Sequence, residues 1–116
     1  MNNNIIFEGI DYENDKYFTI KDALNVVGFQ GFPEAVSYWL KGIGYGVDGG
    51  GIDFPEDDDI FEGVRGYYLN GSEDEEIIIS EEEFYQHLKI AIQRYIKLHP
   101  EKREELEQIM SRSTLV

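Results

Sequence analysis

Two histidines, His87 and His99, are the first side chains to consider for chemistry, because histidine exchanges a proton most readily near neutral pH. Both lie in a segment whose apolar spacing predicts a single helix, and twelve residues of helical rise separate them by about 18 Å. Groups that far apart cannot act on one substrate atom or bind one metal ion. His99 also precedes Pro100, where a cation at a helix end stabilises the helix dipole. We therefore predict structural roles for both histidines.

Carboxylates are more numerous, and four of them stand together at Glu56–Asp59. An acid/base pair of the glycosidase kind needs two carboxyl groups in contrasting environments inside a cleft, whereas adjacent acids repel each other and stay hydrated. A calcium-binding EF-hand loop starting at Asp48 would place Gly50 and Ile52 at ligand positions, and one starting at Asp57 ends on a tyrosine. Neither register suits calcium, so we expect no metal site and no cofactor. Because the acids also do not form an acid/base pair in a cleft, we expect no enzymatic activity.

The distribution of charge indicates which partners the chain avoids and which it attracts. The net charge is −14, from 24 acidic and 10 basic side chains, and fourteen acids but one base, Arg65, lie between Asp48 and Glu83. Such a segment repels nucleic acid and anionic lipid and attracts basic proteins. The glycine run Gly49–Gly51 suggests a phosphate loop, but the acids around it and the lack of a following Lys-Ser/Thr pair disfavour this role. The acidic segment could also simply keep the protein in solution.

Composition places further limits on the fold and the compartment. The 116 residues fit one domain, because no linker-like stretch divides them and an apolar content of 41% can fill a core. The absence of cysteine excludes disulfides and thiolate metal sites and fits the cytosol. The chain has no basic leader and no apolar run long enough for a bilayer, so we expect a cytoplasmic protein with no membrane partner.

The first part of the chain predicts short elements. Ile5–Tyr12 and Tyr17–Ile20 have the composition of short strands. A helix is expected over Ile20–Val27, with Thr19 as its N-cap and with Gly28 ending it in the left-handed conformation. A second helix is predicted from Pro33 to about Lys41, since proline suits the first helical turn.

The second part predicts a glycine-rich loop or irregular strand over 44–55 and a β-hairpin of Ile60–Leu69 with Glu76–Ile79. A long helix is expected to open at Ser80 and to be interrupted at Pro100, with an apolar stripe from Phe84 to Leu98, and a second, charged helix follows over Glu101–Met110. Asn70-Gly71 is a strong turn signal between the two strands, and Ser80 with Glu83 forms a capping box. These elements predict a single α+β domain over 1–116, in which the long helix and two or three shorter helices pack on a small antiparallel sheet. A mostly helical fold is the alternative if the N-terminal strands do not form.

Several motifs resemble those of the ribonuclease-toxin immunity proteins of contact-dependent growth inhibition (CDI) systems, and they run in the same order over about Gly44–Lys102: Gly44–Gly50 (GYGVDGG), Phe54-Pro55, Phe61–Val64, Ser80–Phe84 and Tyr95–Glu101. The resemblance implies a cytoplasmic inhibitor made beside a toxin gene. It also implies that the partner is the carboxy-terminal nuclease domain of a large secreted effector, whose RNA cleavage the inhibitor blocks.

We expect the toxin to bind the segment Asp48–Glu62 and the hairpin turn, because carboxylates there can pair with the basic side chains that hold RNA phosphates, and tyrosines serve as interface anchors. The predicted contact residues are Tyr45, Asp48, Asp53, Glu56, Asp57, Asp58, Asp59, Glu62, Tyr67, Glu73, Asp74 and Glu76. Two alternatives stay open. The GYGVDGG segment could be a purely structural turn, and the protein could be an acidic adaptor or regulator of another basic protein.

Overall fold

The computed structural model describes residues 5–69 and 74–112, and within them it contains four α-helices, one 3₁₀ turn and four strands. In chain order these elements are α1 (Phe18–Gly28), α2 (Phe32–Trp39), β1 (Tyr45–Val47), β2 (Gly50–Asp53), β3 (Val64–Tyr68), β4 (Glu75–Ile79), α3 (Glu81–Leu98), the 3₁₀ turn Pro100–Lys102 and α4 (Arg103–Ser111). The α+β prediction is therefore confirmed, and the mostly helical alternative is wrong.

The sheet is antiparallel throughout, with its strands in the order β1-β2-β3-β4. Ile52 of β2 pairs with Gly66 of β3, and Val64 of β3 pairs with Ile79 of β4. The predicted hairpin is thus confirmed, while its Asn70-Gly71 turn lies outside the described residues. The glycine-rich segment forms β1 and β2, which are joined at Gly49 by a tight turn with a φ of 106°.

One face of the sheet packs on α1. Ile20, Ile52 and Val64 have no exposed surface there. A Cβ on Gly66 would lie 2.5 Å from Ile20 Cδ1, so this glycine lets α1 pack directly against β3. The hydrophobic core therefore lies entirely on the α1 side of the sheet, which leaves the opposite side free for other uses.

Aromatic side chains join α2 and α3 to this core. The Phe84 ring of α3 meets the rings of Trp39 and Phe54 edge-on, with centroids 5.9 and 5.8 Å apart. The Tyr85 hydroxyl donates a hydrogen bond of 3.0 Å to the backbone carbonyl of Trp39. These contacts fix α3 against α2 and against the loop that follows β2.

The start of α3 forms the predicted capping box. The Ser80 hydroxyl accepts from the backbone amide of Glu83 at 3.0 Å, and the Glu83 carboxylate accepts from the Ser80 amide at 2.9 Å. The Tyr17 hydroxyl also donates to Glu83, and this bond together with the Ser80 bonds lowers the pKa of Glu83 to about 2. The cap therefore also fastens the N-terminal segment to α3.

The predicted N-terminal strands over Ile5–Tyr12 and Tyr17–Ile20 are wrong. Residues 5–17 are irregular, and α1 begins at Phe18. The side-chain amide of Asn25 takes the place of a strand partner: it accepts from the Phe7 amide at 2.8 Å and donates to the Phe7 carbonyl at 3.0 Å. A single side chain thus satisfies the backbone groups that a neighbouring strand would have paired.

Both predicted ends of the first helix also need correction. Thr19 lies inside α1 rather than at its N-cap, and its hydroxyl faces the Glu75 carboxylate at 3.4 Å. Gly28 lacks a positive φ, so left-handed geometry is not the reason for a glycine here. A Cβ at this position would lie 2.8 Å from Ile6 Cδ1, and the glycine instead makes room for the N-terminal segment.

Within residues 5–69 and 74–112, no helix combines the length and the apolar character that a membrane span requires.

Candidate functional site

The face of the sheet turned away from α1 is open and carries much of the predicted contact surface. Side chains alternate along a strand, so Val64 and Gly66 face α1 while Arg65 and Tyr67 point to the other side. The strand registers place seven residues on this side, which we call the outer face: Gly46, Gly51, Asp53, Arg65, Tyr67, Glu76 and Ile78.

Arg65 organises one end of the outer face. Its guanidinium donates to Asp53 at 3.0 Å and to Asp59 at 2.5 Å, and it lies 4.7 Å from the centre of the Phe61 ring. The hydrogen bonds that Arg65 donates to Asp59, and then to Asp53, raise its pKa above the ordinary value. The one base of the acidic segment therefore pairs with two predicted contact residues and ties the loop that carries Asp59 to the sheet.

The four consecutive acids form a tight turn. The backbone groups of Glu56 and Asp59 bond to each other in both directions, at 3.1 and 3.0 Å. This pairing leaves Asp57 and Asp58 at the tip, where both side chains are exposed. Ile60 follows directly and is 86% exposed. The loop therefore presents two carboxylates and one large aliphatic side chain to a partner. We call Glu56–Ile60 the acidic turn.

Tyr67 lies across two glycines in the middle of the outer face. A Cβ on Gly51 would come within 2.8 Å of the Tyr67 hydroxyl, and one on Gly46 would collide with the same oxygen. Burial, and secondarily the Asp53 carboxylate, raises the pKa of Tyr67. Gly46 of the GYGVDGG segment thus has a structural purpose, because together with Gly51, which follows the segment, it provides the floor on which the tyrosine side chain lies.

Tyr45, in contrast, does not belong to the outer face. Its ring stacks on Tyr38 of α2 with a centroid distance of 5.4 Å, and its hydroxyl donates to Glu34 at 2.8 Å. This hydrogen bond is the main cause of a raised pKa for Tyr45. The side chain therefore links β1 to α2 on the α1 side of the sheet.

The remaining predicted residues lie at two ends of β3. Asp48 is exposed in the turn between β1 and β2, beside Leu69, whose amide donates to the Gly49 carbonyl at 2.8 Å. From Leu69 to Arg65 is four residue steps, or about 13 Å along the strand. Asp74 and Glu76 are exposed near the Asp48 end, while Glu56 and Glu62 are exposed at the Arg65 end. Glu73 lies outside the described residues.

A shallow depression of about 480 Å³ connects the two ends across the outer face, and it is lined by Asp53, Arg65, Tyr67, Leu69, Asp74, Glu75 and Glu76. Because the depression is lined by residues from both ends of β3, the outer face forms one continuous and mostly acidic surface.

The sequence interpretation missed the apolar members of this surface. Ile60, Leu69 and Ile78 are 86%, 48% and 46% exposed, respectively. The run Ile77–Ile79 carried a usable signal, because three consecutive apolar residues in an antiparallel strand must place at least one of them on the face opposite the core. Ile78 is that residue, since its neighbours point toward α1.

The chemistry available on this surface is that of protein binding. Among the residues that the structure describes, no group of three or more His, Asp or Glu side chains is placed to hold a metal ion. His87 stacks on Tyr17 with a centroid distance of 4.5 Å and contacts the Glu83 carbonyl at 2.8 Å, away from the outer face. Exposed apolar side chains bordered by carboxylates are instead typical of an interface with a basic protein.

Comparison with known proteins gives one family. No curated protein matches the chain at a significant level. The model of a family described as "CDI immunity protein" matches residues 15–110, which include all four strands, the four helices up to Met110 and the outer face. The match covers well over half of the 116 residues. The chain therefore belongs to the CDI immunity protein family, and its function is immunity to a toxin of contact-dependent growth inhibition.

Proposed function

We propose that this immunity protein neutralises a ribonuclease toxin by binding the basic surface with which the toxin holds RNA, and that the outer face and the acidic turn form the contact. It acts in the cytoplasm as a stoichiometric inhibitor with no catalytic step of its own. Its partner is the nuclease domain at the carboxy-terminal end of a large secreted effector, and it binds neither nucleic acid nor membrane.

One observation carries this proposal: exposed apolar side chains lie among carboxylates on the open side of the sheet. Ile78 and Tyr67 lie on the outer face itself, and Ile60 projects from the acidic turn beside it. Stable interfaces combine a few desolvated anchors with a polar rim that excludes water. The arrangement therefore provides both parts of an interface, whereas an acidic surface that only kept the protein in solution would need no apolar anchors.

The charges favour a ribonuclease as the toxin. Side chains that hold RNA phosphates are lysines and arginines, and a surface with a strong negative potential attracts them from a distance. Complementary fields of this kind can raise association rate constants toward 10⁸ to 10⁹ M⁻¹s⁻¹ at low salt. An immunity protein must act before its toxin does damage, so rapid capture is an advantage. We expect a dissociation constant of about 1 nM or lower and an interface of about 1,600 Å².

The contact residues have different roles in this proposal. Asp57 and Asp58 at the tip are exposed, so they pair with basic side chains of the toxin. Asp53 and Asp59 already bind Arg65, and they position the loop instead. The remaining proposed contacts are Asp48, Glu56, Glu62, Tyr67, Glu73, Asp74 and Glu76, while Tyr45 supports β1 from the other side.

The test is a charge reversal at the tip of the acidic turn. Asp57→Lys with Asp58→Lys changes the net charge by +4 without touching the Arg65 contacts. The matched control is Glu13→Lys with Glu104→Lys, which makes the same change at two exposed positions outside the outer face. Each variant is titrated by calorimetry against the toxin domain encoded immediately upstream, at two salt concentrations and beside an RNA-cleavage assay.

The tip variant is expected to bind at least tenfold more weakly than the control, to lose part of its salt dependence and to protect RNA less well. Equal affinity for the two variants would remove the acidic turn from the interface. Tight binding to a toxin that cleaves no RNA would be consistent with immunity but would refute the proposal that the toxin is a ribonuclease. Failure to bind any neighbouring toxin would favour the alternative that the protein is an acidic adaptor.

A further inference from the structure

A groove of about 670 Å³ runs between the N-terminal segment and α1, on the side of the sheet opposite the outer face. Asp22 of α1 is among the residues that line it, and so are four aromatic side chains, those of Phe7, Tyr12, Phe29 and Tyr68. We call this the Asp22 groove.

The carboxylate of Asp22 is buried and only half satisfied. Its residue is 7% exposed, and one oxygen accepts a hydrogen bond of 2.8 Å from the Tyr12 hydroxyl. The other oxygen, Oδ2, is buried and has no hydrogen-bond partner. An unpaired carboxylate oxygen away from water is costly, and an unpaired buried acceptor in a groove marks a place where a ligand can supply the missing donor.

The surroundings of this oxygen are negatively charged and would favour a cation. Burial, followed by the hydrogen bond to Asp22 and the charges of Asp22 and Glu75, raises the pKa of Tyr12 to about 12. Glu8 is the second carboxylate in the lining of the groove, and the residues that line the groove include no lysine or arginine. A cationic donor would therefore both satisfy Oδ2 and neutralise the surrounding negative charge.

Two bases lie nearby, and both are engaged elsewhere. Lys21 approaches the Phe7 ring at 5.6 Å, but its ammonium group pairs with Asp15. Arg94 lies 5.1 Å from the same ring and is within 3.5 Å of the Ile6 carbonyl. Neither Lys21 nor Arg94 supplies a hydrogen bond to Asp22 Oδ2, so a cation that satisfied this oxygen would belong to a partner rather than to these two bases.

We propose that the Asp22 groove is a second binding site, which receives an arginine side chain of a partner protein. A guanidinium is planar, presents donors in a fork that matches a carboxylate, and stacks on aromatic rings. Tyr12 and Phe29 line the groove and are 56% and 57% exposed, so their rings are accessible for stacking on that plane. An ammonium group is compact and strongly hydrated, and it would gain less from these flat aromatic walls.

The source of the arginine is a protein rather than the free amino acid. Free arginine carries an α-carboxylate, which Glu8 and Asp22 would repel, and a strongly hydrated α-ammonium, which would have to lose water among the apolar side chains of the groove. An arginine within a polypeptide has neither group. Because the groove lies on the opposite side of the sheet from the outer face, this inference does not depend on the toxin contact proposed above.

The test is an NMR titration of the full chain labelled with ¹⁵N, using four small probes. The first is Nα-acetyl-arginine amide, for which we expect a dissociation constant of about 1 mM and shifts of the amide signals of Tyr12, Asp22 and Phe29. The comparison probes are Nα-acetyl-lysine amide, the neutral Nα-acetyl-citrulline amide and free arginine. Each of these three is expected to bind at least fivefold more weakly.

Two variants assign the effect to the carboxylate. Asp22→Asn is expected to weaken binding of the capped arginine at least tenfold, while Glu104→Gln, an equal change of charge at an exposed position of α4, leaves it unaltered. Tyr12→Phe keeps the aromatic ring but removes the hydrogen bond to Asp22 Oδ1. This variant should therefore bind the probe as well as the unmodified chain or better. It keeps the test decisive if Asp22→Asn does not fold. Equal binding of the arginine, lysine and citrulline probes, or unchanged binding by a folded Asp22→Asn variant, would overturn the proposal.

Discussion

Replacing Ile60 with alanine is expected to weaken toxin binding about 50-fold while leaving the fold intact. Ile60 is 86% exposed, so its truncation removes almost no packing from the free protein. If the toxin buries this side chain, three carbon atoms are lost from the interface, and at about 0.8 kcal/mol for each carbon the loss is about 2.4 kcal/mol. Since about 1.4 kcal/mol corresponds to a tenfold change in the dissociation constant, the expected change is about 50-fold.

Binding kinetics with the immobilised toxin domain provide the assay, because losing an apolar anchor should raise the dissociation rate and leave the association rate almost unchanged. Ile90→Ala is the matched control, since Ile90 is also exposed, at 42%, but lies on α3. Thermal unfolding of both variants checks the fold. A change of less than threefold in Ile60→Ala, or the same change in both variants, would refute the assignment of Ile60 as an anchor.

Two further changes test the organisation of the molecule. Arg65→Ala makes the outer face more negative but frees Asp53 and Asp59. We expect the free energy of unfolding to fall by about 1–2 kcal/mol and toxin binding to weaken. Stronger binding would show that the net charge matters more than the position of the loop. Glu83→Gln tests pH dependence. Because the pKa of Glu83 is lowered from 4.5 to about 2, the stability that its carboxylate supplies is complete above pH 4.5 and is lost as the pH falls toward 2. Urea unfolding should therefore show the advantage of the unmodified chain over Glu83→Gln shrinking in that range, and an advantage that grows on acidification would contradict the assigned hydrogen bonds.

The parts of the fold that depend on neighbouring residues were predictable from the sequence. Ser80 and Glu83 lie three residues apart at a helix start, and their capping box is complete without help from the rest of the chain. The β3-β4 hairpin was likewise signalled by Asn70-Gly71 between two apolar runs. The dipeptide Asp48-Gly49 is a signal of the same kind, and it could have identified the β1-β2 hairpin in a segment assigned only to a loop or irregular strand.

The parts that depend on distant residues were not predictable in this way. The Ile5–Tyr12 segment has strand-like composition, but Asn25, eighteen residues after Phe7, satisfies its backbone with a side-chain amide. Composition carries no information about such a partner, so the expected strand does not form. The same limitation affected the candidate site, because Asp53 and Asp59 were predicted to pair with basic side chains of the toxin, whereas both bind Arg65 in the structure.

This internal pairing bears on how an acidic protein can present its charge. Carboxylates that stand close together attract a basic partner, but they also repel one another. This repulsion tends to spread the loop that carries them. Arg65 relieves the repulsion at the base of the loop, where Asp59 and Asp53 lie, while Asp57 and Asp58 stay charged and exposed at the tip. Arg65 therefore makes the net charge of the surface slightly less negative, but it fixes the position of the remaining carboxylates. Rim carboxylates act mainly on association and buried anchors act on lifetime, so in the proposed interface a loop held in one position would let Asp57 and Asp58 speed capture while Ile60 slows release.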